Sequence, residues 1–185
     1  MKALPLSVAN PRTAAQVAQR NKMAGCVAML QPILSQVIKP LNDRFAGKMS
    51  GFNYALQASI AAFDESGDMS VPENFKISRA ANKAQLVDAI AAEAKITKLK
   101  VTWTSDAGTG YALASDKCYL VGYCPETGSF AVSTSAIRSA GTAFLEFPDD
   151  DFDAGAEVDV WMAFLRADGT VGFAQDCKQW VAVAP

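Results

Sequence analysis

The stretch that decides the fold is Glu157-Val158-Asp159-Val160-Trp161-Met162-Ala163-Phe164. Every second residue from its second position onward is a large apolar one, a period of two that predicts a β-strand with a buried face. Trp161 lies out of phase with this set, so we expect its ring to face away from the sheet core. Ala167-Asp168-Gly169 then predicts a turn into a returning strand.

Shorter patterns of the same kind fill the second half of the chain. The segment 83–94 suits either a helix or a strand. Turns recur at about ten-residue intervals, a spacing typical of an antiparallel β-sandwich of the immunoglobulin or fibronectin type III kind. Strands are predicted near 75–77, 99–103, 118–124, 130–132, 143–147, 158–164, 171–173 and 180–183.

The first part of the chain predicts helices instead. Thr13 and Gln16 fit a capping box at a helix start, and apolar residues follow from Val17 at helical spacing. Pro32 and Pro40 should each kink or restart the helix, and Ser50 suits the cap of the next one. We therefore expect an α+β protein: a helical hairpin over residues 11–63, followed by the sandwich.

Charge divides the chain at nearly the same place. Residues 1–63 carry seven basic side chains and one acidic one, whereas the remainder carries ten basic and eighteen acidic ones. We interpret this as a basic helical segment, residues 1–66, and an acidic β-sandwich domain, residues 67–185. The asymmetry predicts that the two parts face different neighbours.

The basic residues at the first helix start are the leading candidates for a docking surface. They could bind an acidic protein subunit, while the alternative is an ordinary solvated helix face. The near-neutral total charge of -2, and the absence of interleaved aromatic residues, argue against nucleic acid as the partner. These candidates are Arg12, Gln16, Gln19, Arg20 and Lys22.

Two further candidates are weaker. Trp161 could stack on a surface ligand if it is exposed, with burial under the helices as the competing explanation. Asp149, Asp151 and Asp153 match the first ligands of a calcium loop. However, the glycine that such a loop requires comes one place late and its last acidic ligand is missing, so we expect no metal and no cofactor.

The composition argues against catalysis. Histidine is absent, which excludes nucleophile–histidine pairs, imidazole acid–base chemistry and histidine metal sites. The four cysteines show no metal-ligand spacing, and Cys118 and Cys124 lie too far apart for a disulfide if one strand carries both. We expect four free thiols and a protein that is not an enzyme.

Targeting signals are also missing from the sequence. No run of about twenty apolar residues could span a bilayer, and the first residues lack the apolar core of a signal peptide. We expect a cytoplasmic or virion protein.

Three segments resemble an uncharacterised domain-of-unknown-function family of Bacteroidota and their phages or mobile elements. They are Asn10-Pro11-Arg12-Thr13 with the Gln16, Gln19 and Arg20 that follow, Ala46 to Asn53, and Glu157 to Phe164. The family has no established activity to carry over, but similar Asn-Pro-x-Thr openings occur in phage structural proteins. The resemblance therefore implies a virion or assembly role.

These observations lead to two hypotheses. The first is a non-enzymatic structural or assembly protein that docks through its basic helices, as a homo-oligomer or as part of a larger assembly of protein subunits. The alternative is a β-sandwich module that binds glycans or surface polymers through its loops and Trp161.

Overall fold

The protein has a layer of helices packed on one face of a two-sheet β-sandwich, which confirms the predicted α+β class with an immunoglobulin- or fibronectin-type-III-like sandwich. Within the described strands the pairing is antiparallel, except where the first strand pairs in parallel with the eighth. The computed structural model describes residues 12–80, 82–83, 86–91, 98–148, 156–174 and 178–181.

The helical layer folds back on itself as a hairpin, as predicted. Its first and third helices contact each other, and the turns between them carry short irregular helices. The helices are α1 (Ala14–Leu30), α2 (Lys39–Asn42) and α3 (Gly51–Ser59), with a π-helix at Leu34–Ile38 and 3-10 turns at Asp43–Phe45, Ile60–Ala62, Pro72–Asn74 and Arg138–Ala140.

Local sequence signals set the helix boundaries. The Gln16 amide donates to Thr13 Oγ1 and the Thr13 amide to Gln16 Oε1, at 3.4 and 3.3 Å, which confirms the capping box. The helix ends two residues before Pro32, and Pro40 lies in the first turn of α2, where its missing N–H leaves no hydrogen bond unmade. Ser50 caps α3 by accepting from the Asn53 amide at 3.2 Å.

The strands form two sheets. The larger one has the order β1-β8-β7-β4-β5, with β9 also paired to β7, and the smaller one has the order β2-β3-β6. The strands are β1 (Asn82–Lys83), β2 (Leu86–Ala91), β3 (Lys98–Trp103), β4 (Lys117–Cys124), β5 (Ser129–Ser133), β6 (Thr142–Glu146), β7 (Glu157–Leu165), β8 (Gly172–Ala174) and β9 (Lys178–Val181).

Strand β7 is the element that joins the two layers. Its Val158, Val160, Met162 and Phe164 belong to the core between the sheets, as their alternation predicts. Trp161, Ala163 and Leu165 lie in the core formed with the helices, and Asp159 is also buried, so all but the first residue of the strand are buried. A strand covered on both faces loses the polar alternation of a half-exposed one.

One predicted strand in the middle of the chain is wrong, and one ambiguous segment there contains a strand. Residues 75–77 form no strand: Phe75 and Ile77 are buried beneath the helices in irregular backbone that follows a 3-10 turn. Their alternation reflected burial of one side of an extended segment and not sheet pairing. The ambiguous segment 83–94 contains β2.

The helices share their core with the sandwich. The phenyl ring of Phe75 meets the indole of Trp161 edge to face, with centroids 5.1 Å apart, and Leu30 and Val37 belong to the same cluster. The boundary at residues 66 and 67 stays a prediction, but the two parts of the chain pack against each other.

Candidate functional site

A cavity of about 400 Å³ opens where the helical layer meets the loops of the sandwich. We call it the junction pocket. Three aromatic rings come to it from separate parts of the chain: Phe45 from the turn after α2, Tyr54 from α3, and Tyr111 from the loop between β3 and β4. Its lining is completed by Arg79, Ala80, Thr170, Val171 and Gly172.

Arg79 is the charged side chain in this lining. Its guanidinium carbon lies 4.2 Å from the centroid of the Tyr54 ring, a cation–π contact. Its Nη1 donates to Gln57 Oε1 at 3.2 Å. Arg79 is exposed and forms no ion pair with any described carboxylate, so most of its five donors remain available to a ligand.

Two more arginines flank the junction pocket and donate to main-chain oxygens. Arg44 donates through Nη1 to the main-chain oxygen of Asp168 at 2.6 Å. Arg166 donates through Nη2 to the main-chain oxygen of Tyr111 at 2.5 Å, which ties the Tyr111 loop to the strand end. The neighbourhood of the pocket is thus basic, although the sandwich as a whole is acidic.

Asp168 is an acid that interacts with two of these arginines, Arg44 and Arg166. Hydrogen bonds from the Thr170 side chain and backbone, together with the charges of Arg166 and Arg44, hold the pKa of Asp168 below its ordinary value. Thr170 donates from its amide at 2.8 Å and from its hydroxyl at 2.5 Å. The carboxylate is therefore engaged within its own turn and does not neutralise Arg79.

A buried arginine anchors the loop that carries Tyr111. Arg138 is 1% exposed, donates through Nε to Asp116 Oδ2 at 3.2 Å, and pairs through Nη1 with Asp106. Its guanidinium carbon lies 4.1 Å from the ring centroids of both Phe164 and Phe173. Loop 104–116 is thereby held at both ends.

Sequence reasoning missed this network. Asp116 is only one of several scattered acids when the sequence is read alone, and Arg138 is 22 residues away along the chain. No local pattern signals such a pair, because it forms only when the two sheets close on each other. The indole of Trp103 completes the anchor by donating to the Arg138 main-chain oxygen at 2.8 Å.

The structure leaves the predicted docking residues at the surface. Arg12, Gln16, Gln19 and Arg20 are exposed and Lys22 is partly exposed. The expected apolar stripe does not cover this end: Val17 is 40% exposed, and the first buried residue of α1 is Cys26. Further along the helix, Asn21 Nδ2 donates to Glu65 O at 3.0 Å.

Close packing begins at Gly25. A Cβ built on Gly25 would lie 1.9 Å from the main-chain oxygen of Gly67, so only glycine allows α1 to approach the 64–68 turn. Residues 12–20 therefore precede this close approach of the two backbones. We call residues Arg12, Gln16, Gln19, Arg20 and Lys22 the basic helix start.

Trp161 is not a surface residue, and the expectation that it could bind a ligand is wrong. Its side chain is completely buried, against Phe75 and the helical layer. Its predicted phase is correct, since it faces away from the core between the sheets. The competing explanation, burial under the helices, is what the structure has.

The acidic run with Asp149, Asp151 and Asp153 lies outside the described residues, so the expectation that these weak candidates bind no metal stays a prediction. Among the residues that the structure does describe, no group of three or more acidic or cysteine side chains is placed to hold a metal ion.

The described cysteines are buried thiols. Cys26, Cys118 and Cys124 are all free, and β4 carries the last two, as the disulfide argument assumed; Cys177 lies outside the described residues. Burial raises the pKa of Cys26 to about 12 and that of Cys118 further still. Both stay protonated at neutral pH and pack as small apolar groups.

The profile of the family described as "Family of unknown function (DUF6266)" matches residues 1–175. The chain belongs to this family. The matched region spans the helical layer, the junction pocket and nearly all of the sandwich. Because the DUF6266 family has no described function, membership brings no catalytic or binding residue to this chain.

Solved structures and curated proteins add little about the function of this DUF6266 member. The solution structure of a human fibronectin type III domain, from fibronectin type III domain containing protein 3, matches 58% of this chain and 93% of its own. The sequence identity is 11% and the TM-score 0.35. No curated protein matches the chain significantly. Among the described residues, no helix is long and apolar enough to cross a bilayer.

Proposed function

We propose that this DUF6266 member is a non-enzymatic structural or assembly protein that docks onto a partner protein subunit through the basic helix start. The observation that carries the proposal is the exposure of this helix end. Its cap is fully formed, Arg12 and Arg20 are exposed, and Val17 is 40% exposed. A preformed helix that presents positive charge beside an uncovered apolar residue suits a protein–protein contact.

Charge complementarity favours a second copy of the chain as the partner. The helix start lies in the part with seven basic residues and one acid, and the rest of the chain holds eighteen acids against ten bases. Opposite charges on different surfaces of one molecule favour head-to-tail association, which extends into larger assemblies unless the ring closes.

The finer proposal is a phage virion or mobile-element component from Bacteroidota, located in the cytoplasm or in the virion. Its support is the Asn-Pro-Arg-Thr opening at residues 10–13 and the likeness of such openings to those of phage structural proteins. Adjacent capsid, portal or tail genes would support this origin, and neighbouring polysaccharide-utilisation genes would contradict it.

Light scattering after gel filtration tests the docking surface. The wild type should associate at low salt and dissociate as salt rises, because screening weakens exposed charge pairs. The double variant Arg12→Glu/Arg20→Glu should be monomeric. Lys48→Glu/Lys100→Glu changes the net charge equally at exposed positions elsewhere, so it should still associate. A wild type that is strictly monomeric and retains no partner in pull-downs would overturn the proposal.

A glycan- or surface-polymer-binding module is the second candidate. Trp161 is buried and cannot serve this module as a stacking surface. Tyr111 is 67% exposed on a sandwich loop and could take that role. A glycan array with the wild type and Tyr111→Ala tests it. Absence of a signal for the wild type removes this candidate.

A further inference from the structure

The junction pocket has the chemistry of a small-molecule site. Its volume of about 400 Å³ falls within the usual range for ligand pockets, roughly 300–1,000 Å³. Phe45, Tyr54 and Tyr111 place three aromatic rings in its lining. Such walls favour a planar ring, which can lie flat or edge-on against aromatic side chains.

An arginine supplies the second half of the recognition. Arg79 lines the cavity and forms no ion pair with a described carboxylate, whereas Arg44 and Arg166 interact electrostatically with Asp168. One guanidinium group in the lining of an apolar cavity, with no acidic side chain among the described residues of that lining, favours an anion in the pocket. Arg79 can also bind an anionic group through two parallel N–H groups.

The walls of the pocket are held in place before any ligand arrives. Arg166 binds the main chain at Tyr111, and the Arg138 network fixes the ends of the loop that carries this ring. Across the cavity, the Arg79 guanidinium rests on Tyr54. A site whose walls are already positioned loses less conformational entropy on binding.

We propose that the junction pocket binds a small ligand made of a planar ring with one anionic group, the ring against Tyr54 and Tyr111 and the anion on Arg79. The few polar groups of the lining suit this ligand better than a polyhydroxylated sugar, which needs many hydrogen-bond partners. The anion can be the carboxylate of an aromatic acid or the phosphate of a nucleotide. This site is separate from the basic helix start and does not depend on assembly.

Isothermal titration calorimetry with two matched probe pairs tests the proposal. 2-Naphthoate is compared with its neutral amide, 2-naphthamide, and AMP is compared with adenosine. We expect at least one anion to bind and its neutral partner to bind about tenfold or more weaker, since hydrogen bonds to charged groups contribute about 1.5–3 kcal/mol. Which anion binds tells the two sources apart. No binding of either anion, or equal binding of an anion and its neutral partner, overturns the proposal.

Variants then assign the binding to the pocket. Arg79→Gln should weaken the bound anion about 10- to 100-fold and leave the neutral partner unchanged. Tyr111→Ala, on an exposed loop, should weaken both members of the pair. The helix-start variant Arg12→Glu/Arg20→Glu should bind as the wild type does, even if it no longer associates. An Arg79→Gln protein of unchanged affinity would contradict the site, whatever the assembly experiment shows.

Discussion

Arg138 and Arg79 carry the same guanidinium in two opposite settings. Arg138 is buried, pairs with two carboxylates and lies between two phenyl rings, whereas Arg79 is exposed and stacks on one ring with a neutral amide as its partner. A buried charge must be matched by its own chain, because desolvating it otherwise costs several kcal/mol. An unmatched guanidinium is therefore tolerated only at the surface, where a partner from outside can reach it.

The largest effect is expected at Arg138. Arg138→Met keeps the length of the side chain between the Phe164 and Phe173 rings but leaves Asp116 charged and buried, so the free energy of unfolding should fall by about 3–5 kcal/mol. Urea unfolding followed by circular dichroism measures this. The double variant Arg138→Met/Asp116→Leu should recover part of the loss. A single variant as stable as the wild type would break the contrast with Arg79.

The next largest effects are expected at the two carboxylates that pair with Arg138, and the loss in the free energy of unfolding should differ between them. Asp116→Asn removes a completely buried charge that also accepts the Leu113 amide at 2.9 Å, and we expect a loss of about 2 kcal/mol. Asp106 is 44% exposed, so Asp106→Asn should cost at most about 1 kcal/mol. Equal losses in the same urea experiment would mean that burial does not set the strength of these pairs.

Arg79 should contribute little to stability. Arg79→Met removes a surface cation–π contact and one hydrogen bond, so we expect a change of less than about 1 kcal/mol in the free energy of unfolding. Thermal unfolding measures it beside Arg138→Met. A loss as large as that of Arg138→Met would make Arg79 a structural residue and remove the reason to regard it as free for a ligand.

The smallest effect concerns pH and Asp168. Its folded-state pKa is lowered, so its contribution to stability is present above the unfolded-state pKa of about 3.9 and is lost as the pH falls through the folded value. Asp168→Asn should therefore melt slightly below the wild type at neutral pH, with the difference vanishing under acidic conditions. The Asp168 carboxylate is fully exposed, so only a small difference is expected. A difference in melting temperature that persists at low pH would point to the loss of a hydrogen bond with Thr170 instead of the loss of a charge.

Sequence predicted the parts of this molecule that local patterns encode. The cap at Thr13, the alternation of β7 and the turn at 167–169 all depend on residues a few positions apart, and the structure confirms them. The sandwich follows from the number and spacing of such strands. Patterns of this kind report which residues are buried, but not against what.

The candidate site could not be predicted in the same way. The junction pocket takes its aromatic rings from three segments, and Arg79 comes from a stretch without regular structure. Trp161 shows the same limit: its phase was predictable, but the layer that covers it was not. Contacts between distant segments of the chain determine both the pocket and the burial of Trp161. No short stretch of the sequence contains that information.

The double covering of β7 has a further consequence for how the protein can be divided. A fragment that starts at residue 67 would lose α1 to α3 and leave Trp161, Ala163 and Leu165 facing water. The apolar sheet surface would then be exposed to water. We expect such a fragment to aggregate or to bind another apolar surface in place of the helices. The helices thus form a cover that this sheet face needs, and we expect recombination or truncation to preserve the protein only when both parts stay together.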